Sequence, residues 1–175
     1  MDFEQVINTR RSVRSYRSQP VPDAALEKVL NAARIAPSAN NIQPWHFIAV
    51  KDAARRGEIA RNCFNQTFLA EAPVVIVCCG KKYPDRYSWI SDNLYLVDVA
   101  IAIDHLTLAA RNEGLGTCWI GALDQKPLRK LLNVPSGFDI IMVTPLGYPA
   151  SDAAFRPASG RKPLSEIVSY EEFKR

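Results

Sequence analysis

The sequence predicts a single α/β or α+β domain, and three observations carry that prediction. Short apolar runs suited to buried strands alternate with longer segments of helical period. A chain of 175 residues, 47% of them apolar, suffices for one core and is short for two. No internal repeat, linker or low-complexity stretch divides it, so residues 1–175 read as one domain.

The elements follow in chain order. Met1-Asp2-Phe3-Glu4 is acidic and mixed, so no secretory leader is expected. Leu26, Val29, Leu30 and Ala33 fall at i, i+3, i+4 and i+7, which predicts an amphipathic helix over 23–35 that begins at Pro22-Asp23 and ends before Pro37. Residues 37–44 carry two prolines and a run of Ser, Asn and Gln, which predicts a loop. A strand is expected over 45–50, a helix over most of 53–69, and a fully buried strand over 74–79. The segment 93–111 is apolar all round (Leu94, Val97, Ala100, Ile101, Leu106, Leu108), so its helix needs burial in a core or at a subunit interface. A third strand over 117–120, a short helix over 127–132 and a fourth strand over 139–146 complete the core. Residues 150–175 lose the core pattern and read as an extended arm.

Composition narrows the function. The 22 basic and 18 acidic residues leave a net charge of +4 spread along the chain, which predicts no nucleic-acid binding. The longest apolar run is too short to span a bilayer. The four cysteines lack metal or disulfide spacing, so reduced, buried thiols in a cytoplasmic protein are expected.

Three segments could carry chemistry. Arg10-Arg11-Ser12-Val13-Arg14 suits a phosphate monoester, since guanidinium forks and a short hydroxyl donate to its oxygens; taken alone it also reads as a solvated basic patch. Ser38, Asn41 and Gln43 could meet a polar ring edge or simply satisfy their own turn. Glycines 114, 116 and 121 permit close backbone approach, with a helix C-cap at Gly114 as the structural alternative. His46 and His105 read as structural. No nucleophile elbow, zinc motif, P-loop or paired carboxylates appear, so a cofactor is expected to perform any chemistry.

In this order and spacing, Arg10 to Tyr16, Ala36 to Trp45, Gly116 to Gly121 and the late Arg161-Lys162-Pro163 resemble the nitroreductase family of FMN-dependent oxidoreductases, over residues 3–167. The resemblance implies an α+β fold, a three-layer α/β/α arrangement with a central mixed sheet, assembled as an intertwined homodimer with FMN at the interface. It implies that Arg10, Arg11, Ser12 and Arg14 hold the phosphate, ribityl chain and pyrimidine edge. Pro37, Ser38, Ala39 and Asn41 would come from the partner subunit. Trp119, Ile120 and Gly121 would line the flavin, Arg161 would return to the phosphate, and Asn65 matches a position that reaches the flavin in some members. Asn40 stands where many members have glycine. Tyr83, Tyr87 and Trp89, within 81–91, would cover the ring or pack as a surface cluster. The implied activity passes electrons from NADH or NADPH through FMN to nitroaromatics, quinones or similar acceptors in a ping-pong cycle. A dehalogenase on the same fold and a non-catalytic flavin-storage protein are the alternatives.

Overall fold

A computed structural model describes residues 1–84, 87, 89 and 93–173. Its centre is a four-stranded sheet of β1 (Trp45–Val50), β2 (Val74–Lys81), β3 (Gly116–Thr117) and β4 (Phe138–Gly147), in the order β1-β2-β4-β3. Every strand pair is antiparallel. Among the described residues, the parallel part of the expected mixed sheet is the single bridge from Ser12 to Thr117.

Three layers follow from the period of two along β2. Val74, Ile76 and Cys78 pack toward α2 (Asp23–Arg34) and α5 (Leu94–Asn112). Val75, Val77 and Cys79 pack toward α3 (Ala53–Asn62), α4 (Phe68–Glu71) and α6 (Gln125–Leu131). A strand covered on both faces reads as a continuous apolar run, which is why 74–79 shows no polar alternation. The pairing slips by one residue at Cys78/Cys79, where Ile141 of β4 is left unpaired; Ile141 and Met142 then share the α2/α5 side. All four cysteines are buried and free, and burial pushes the Cys63 and Cys79 thiols up to about 11.

The structure departs from the sequence reading in four places. The helix expected over 53–69 breaks at Cys63, because Phe64 and Asn65 adopt left-handed backbone with φ of 54° and 58°. The expected third strand shrinks to Gly116–Thr117, with Ile120 rejoining β4 through a bridge to Val143. A helix α1 (Phe3–Thr9), capped by the Asp2 side chain on the Gln5 N–H at 2.8 Å, went unforeseen because it buries only Val6 and shows little period. Finally, α5 is covered on one side alone: Leu96, Val97, Ala100, Ile101, Asp104 and His105 surround an open concavity of about 500 Å³. The remaining elements stand within two residues of their expected bounds, and Gly114 closes α5 at φ +75° as anticipated. Residues 150–173 form an exposed arm with short turns at Asp152–Ala154 and Leu164–Glu166.

Candidate functional site

Two corners of the sheet gather the polar groups. At the first, the chain leaves α1 and runs beside β3. The Val13 N–H donates to the Thr117 carbonyl at 2.9 Å, fixing the segment that carries Arg10 to Arg14. Gly116 permits this approach: a Cβ there would lie 2.6 Å from Val13 Cγ2, a clash no rotamer relieves. The glycine that could have served a flat ligand is thus filled by the chain's own valine.

The chain then pairs with the segment after β4. The Arg17 N–H donates to the Tyr148 carbonyl at 2.9 Å, the Ala150 N–H to the Ser15 carbonyl at 3.0 Å, and Arg17 forms an ion pair with Asp152 at 2.9 Å. Arg111 stacks 4.0 Å above the Phe155 ring and donates to Thr9 Oγ1 at 2.9 Å. These contacts turn the arm back over the arginines. Arg10, Arg11, Ser12, Arg14, Arg156 and Arg161 consequently line one open pocket of about 770 Å³, together with Ala150, Ser151, Ala153 and Ala154. Among the described residues no carboxylate lines it, and none of the four ion pairs engages these arginines. Burial, then the charges of Arg10, Arg161 and Arg156, holds Arg11 below the usual guanidinium range. Clustered like charges without counter-ions suit an anion such as a phosphate. Arg11 also donates to the carbonyls of Asn8 (2.7 Å) and Arg10, closing the end of α1. Arg156 was missed in the sequence because it stands alone in the arm, five residues before Arg161.

Along the same edge, Trp119 and Gly121 are exposed, and a Cβ on Gly121 would meet open space. Ile120 differs. Its side chain is buried, and both its N–H and its carbonyl pair with Val143 at 3.0 Å. It anchors the turn, while its neighbours remain free to face a ligand. Asn65 occupies the α3–α4 turn beside Phe68, which packs on Val13 and Tyr16; the arginine pocket does not include it.

The second corner is the loop before β1. Asn40, Asn41 and Gln43 all have left-handed backbone (φ of 48°, 55° and 53°), which asparagine tolerates better than most residues. Ser38 Oγ accepts the Gln43 N–H at 2.9 Å, so this hydroxyl serves its own turn. The Ala39 N–H donates to the carboxylate of Asp98 at 3.2 Å, and the Tyr83 hydroxyl donates to the same carboxylate. Asp98, 4% exposed and outside the four ion pairs among the described residues, therefore ties loop, α5 and Tyr83 together. Burial and this bond raise the Tyr83 pKa. No sequence signal marked Asp98, since one acid in an apolar helix has no motif. Of the expected cover over 81–91, residues 81–84, Tyr87 and Trp89 are described, and the rest lies outside the described residues.

The two corners lie far apart within one chain. Trp45 is level with Gly80 and Asp139, whereas Thr117 pairs with Leu146 at the other end of β4, on the opposite edge. Strand rise and spacing put them about 25 Å apart. Pro37, Ser38, Ala39 and Asn41 thus do not join Arg10, Arg11, Ser12, Arg14 and Arg161 in the same protomer.

A helix-covered antiparallel sheet defines an α+β protein, and one sheet edge carries a cluster of arginines that form no ion pair among the described residues. Residues 7–67 and 55–148 match the model of the Nitroreductase family. The chain is 35% identical over 161 residues to an Archaeoglobus fulgidus protein provisionally named NADH dehydrogenase/NAD(P)H nitroreductase, covering 90% of this chain and 91% of that protein. A Clostridium difficile FMN-dependent nitroreductase superposes with a TM-score of 0.83 at 26% identity, covering 98% of this chain and 100% of that one. Mouse iodotyrosine deiodinase 1 is 32% identical over 203 residues, covering 95% of this chain and 68% of that protein. The chain belongs to the nitroreductase family and is an oxidoreductase. Among the described residues, no helix is long and apolar enough to cross a membrane.

Proposed function

We propose that the chain is an FMN-dependent oxidoreductase that works as a homodimer and passes electrons from NADH or NADPH to electron-poor acceptors such as nitroaromatics and quinones in a ping-pong cycle. The observation that carries this reading is the pocket in which Arg10, Arg11, Arg14, Arg156 and Arg161 converge with no carboxylate among the described residues that line it. It fits the phosphate of FMN, with Ser12 as a further short donor. Bound FMN would accept a hydride from the nicotinamide and pass electrons on. Arg10 or Arg14 would stabilise negative charge on the reduced ring's pyrimidine edge. Trp119 and Gly121, exposed along the same edge, would flank the ring.

The same geometry supports the dimer. Pro37, Ser38, Ala39 and Asn41 cannot reach their own arginine pocket, so they would serve the FMN held by the partner. The uncovered apolar side of α5 and the exposed Leu164, Ile167, Tyr170 and Phe173 of the arm supply surface for that association.

The deiodinase relatives raise a second reading, a dehalogenase on the same scaffold. That alignment spans 203 positions against 175 residues, so at least 28 positions of the mouse protein have no counterpart here. The deciding test is an absorbance spectrum of purified protein, then anaerobic NADH, NADPH and finally a quinone or nitroaromatic. A flavin spectrum that bleaches and recovers is expected. Protein that binds no added FMN would overturn the reading.

A further inference from the structure

Five arginines reach the anion pocket from two stretches of chain that are far apart in sequence. Arg10, Arg11 and Arg14 follow α1, while Arg156 and Arg161 lie in the arm. One side chain outside the pocket touches both stretches. Arg111, in the last turn of α5, donates through Nε to Thr9 Oγ1 at 2.9 Å and lays its guanidinium 4.0 Å above the Phe155 ring. Thr9 directly precedes Arg10, and Phe155 directly precedes Arg156. We infer that Arg111 is a positioning residue that gathers the two halves of the pocket around one phosphate. The inference rests on the FMN reading and deepens it, because it names what would favour a flavin that carries a phosphate over one that does not.

Three observations support it. First, both contacts are directional. The Thr9 hydroxyl gives its proton to the Gln5 carbonyl, so a lone pair is what faces Arg111. A cation over an aromatic face is held by the ring's quadrupole as well as by packing. Second, Phe155 also packs against the cluster of Val13, Tyr16 and Ala72, so the ring joins the arm to the segment that carries Arg14. Third, Arg111 stands apart from the charges it organises. It does not line the pocket, and burial lowers its pKa, whereas Arg11 also feels Arg10, Arg161 and Arg156. Those like charges repel, so an arm without its anchor would spread and would have to be ordered when the anion binds.

The readout is the ratio of the riboflavin to the FMN dissociation constant, measured by fluorescence titration, because riboflavin lacks the phosphate. Wild-type protein should bind FMN far more tightly. Arg111→Ala should lower the ratio about ten-fold while riboflavin affinity stays within about two-fold of wild type. Arg111→Lys keeps a cation for the ring and loses the Nε donor, Thr9→Val removes the acceptor, and Phe155→Leu removes the ring; each should lower the ratio about three-fold. These milder variants decide the matter if Arg111→Ala does not fold. With Arg156 and Arg161 both changed to alanine, Phe155→Leu should no longer move the ratio. A cation that merely closes the end of α5 would weaken both flavins alike. That result, an unchanged ratio in folded variants, or a Phe155→Leu effect that persists without the arm arginines would overturn the inference alone. Wild-type protein that binds neither flavin would overturn the oxidoreductase reading and the inference with it.

Discussion

The arginine corner and the loop corner serve one proposed ligand by different physics. At the arginine corner the working element is charge: Arg10, Arg14, Arg156 and Arg161 form no ion pair among the described residues, and the bridge from Ser12 to Thr117 holds the first two beside β3. At the loop corner the working element is shape. Asn40, Asn41 and Gln43 sit in left-handed backbone, and the polar groups of Ser38 and Ala39 are already spent on Gln43 and Asp98. Charge can be removed one residue at a time with the fold intact, whereas shape is shared and fails as a unit.

Substitutions should expose that difference, beginning with the largest effect. Removing Arg10 and Arg14 together, both to alanine, is expected to weaken FMN binding about a thousand-fold while leaving the melting temperature near wild type, since hydrogen bonds to charged groups are worth about 1.5–3 kcal/mol each. Fluorescence titration with FMN beside a thermal melt checks this; equal losses in both would mean the corner is structural. Gly116→Ala places a methyl against Val13 and should cost about 3 kcal/mol in urea unfolding, with weaker FMN binding, because Val13 lies between Ser12 and Arg14.

At the other corner the order of effects reverses. Asp98→Ala leaves the half-buried Ala39 N–H and Tyr83 hydroxyl without their acceptor and should cost about 2 kcal/mol. Amide exchange at Ala39 should accelerate, and slow exchange would show that Asp98 does not hold the loop. Asn40→Val should cost about 1 kcal/mol because of its φ of 48°, while Asn40→Gly should be neutral or slightly stabilising. The smallest effect concerns pH. Burial and the 2.9 Å bond to Asp139 push Tyr95 up to about 12, above the ordinary tyrosine value near 10. A raised pKa gives stability that is whole below about pH 10 and is lost as pH rises toward 12. Tyr95→Phe should flatten that decline in urea midpoints measured from pH 9 to 12, and an unchanged slope would assign the decline to other groups.

Legibility divided along the same line. The Arg10–Arg14 cluster, the buried strand Val74–Lys81 and the apolar α5 were visible because charge density and hydrophobic period are properties of neighbouring residues. Asp98 and Arg156 were invisible, since each acquires its partners only through folding, Asp98 from Ala39 and Tyr83 and Arg156 from an arm that turns back over α1. Gly116 was noticed for the wrong partner: its small size serves Val13, more than one hundred positions away in the chain. Ile120 likewise sits in the recognised motif yet spends its side chain on the core.

By itself the sequence determined most of the elements, the two-sided burial of the central strand and a cluster of charge suited to an anion, because period and charge survive without a third dimension. Tertiary structure alone decided the antiparallel order β1-β2-β4-β3, the bulge at Cys78/Cys79 and the separation of the two corners. Those depend on which strands meet and in what register, and the pairing of backbone hydrogen bonds over long loops leaves no local mark on the residues that make it.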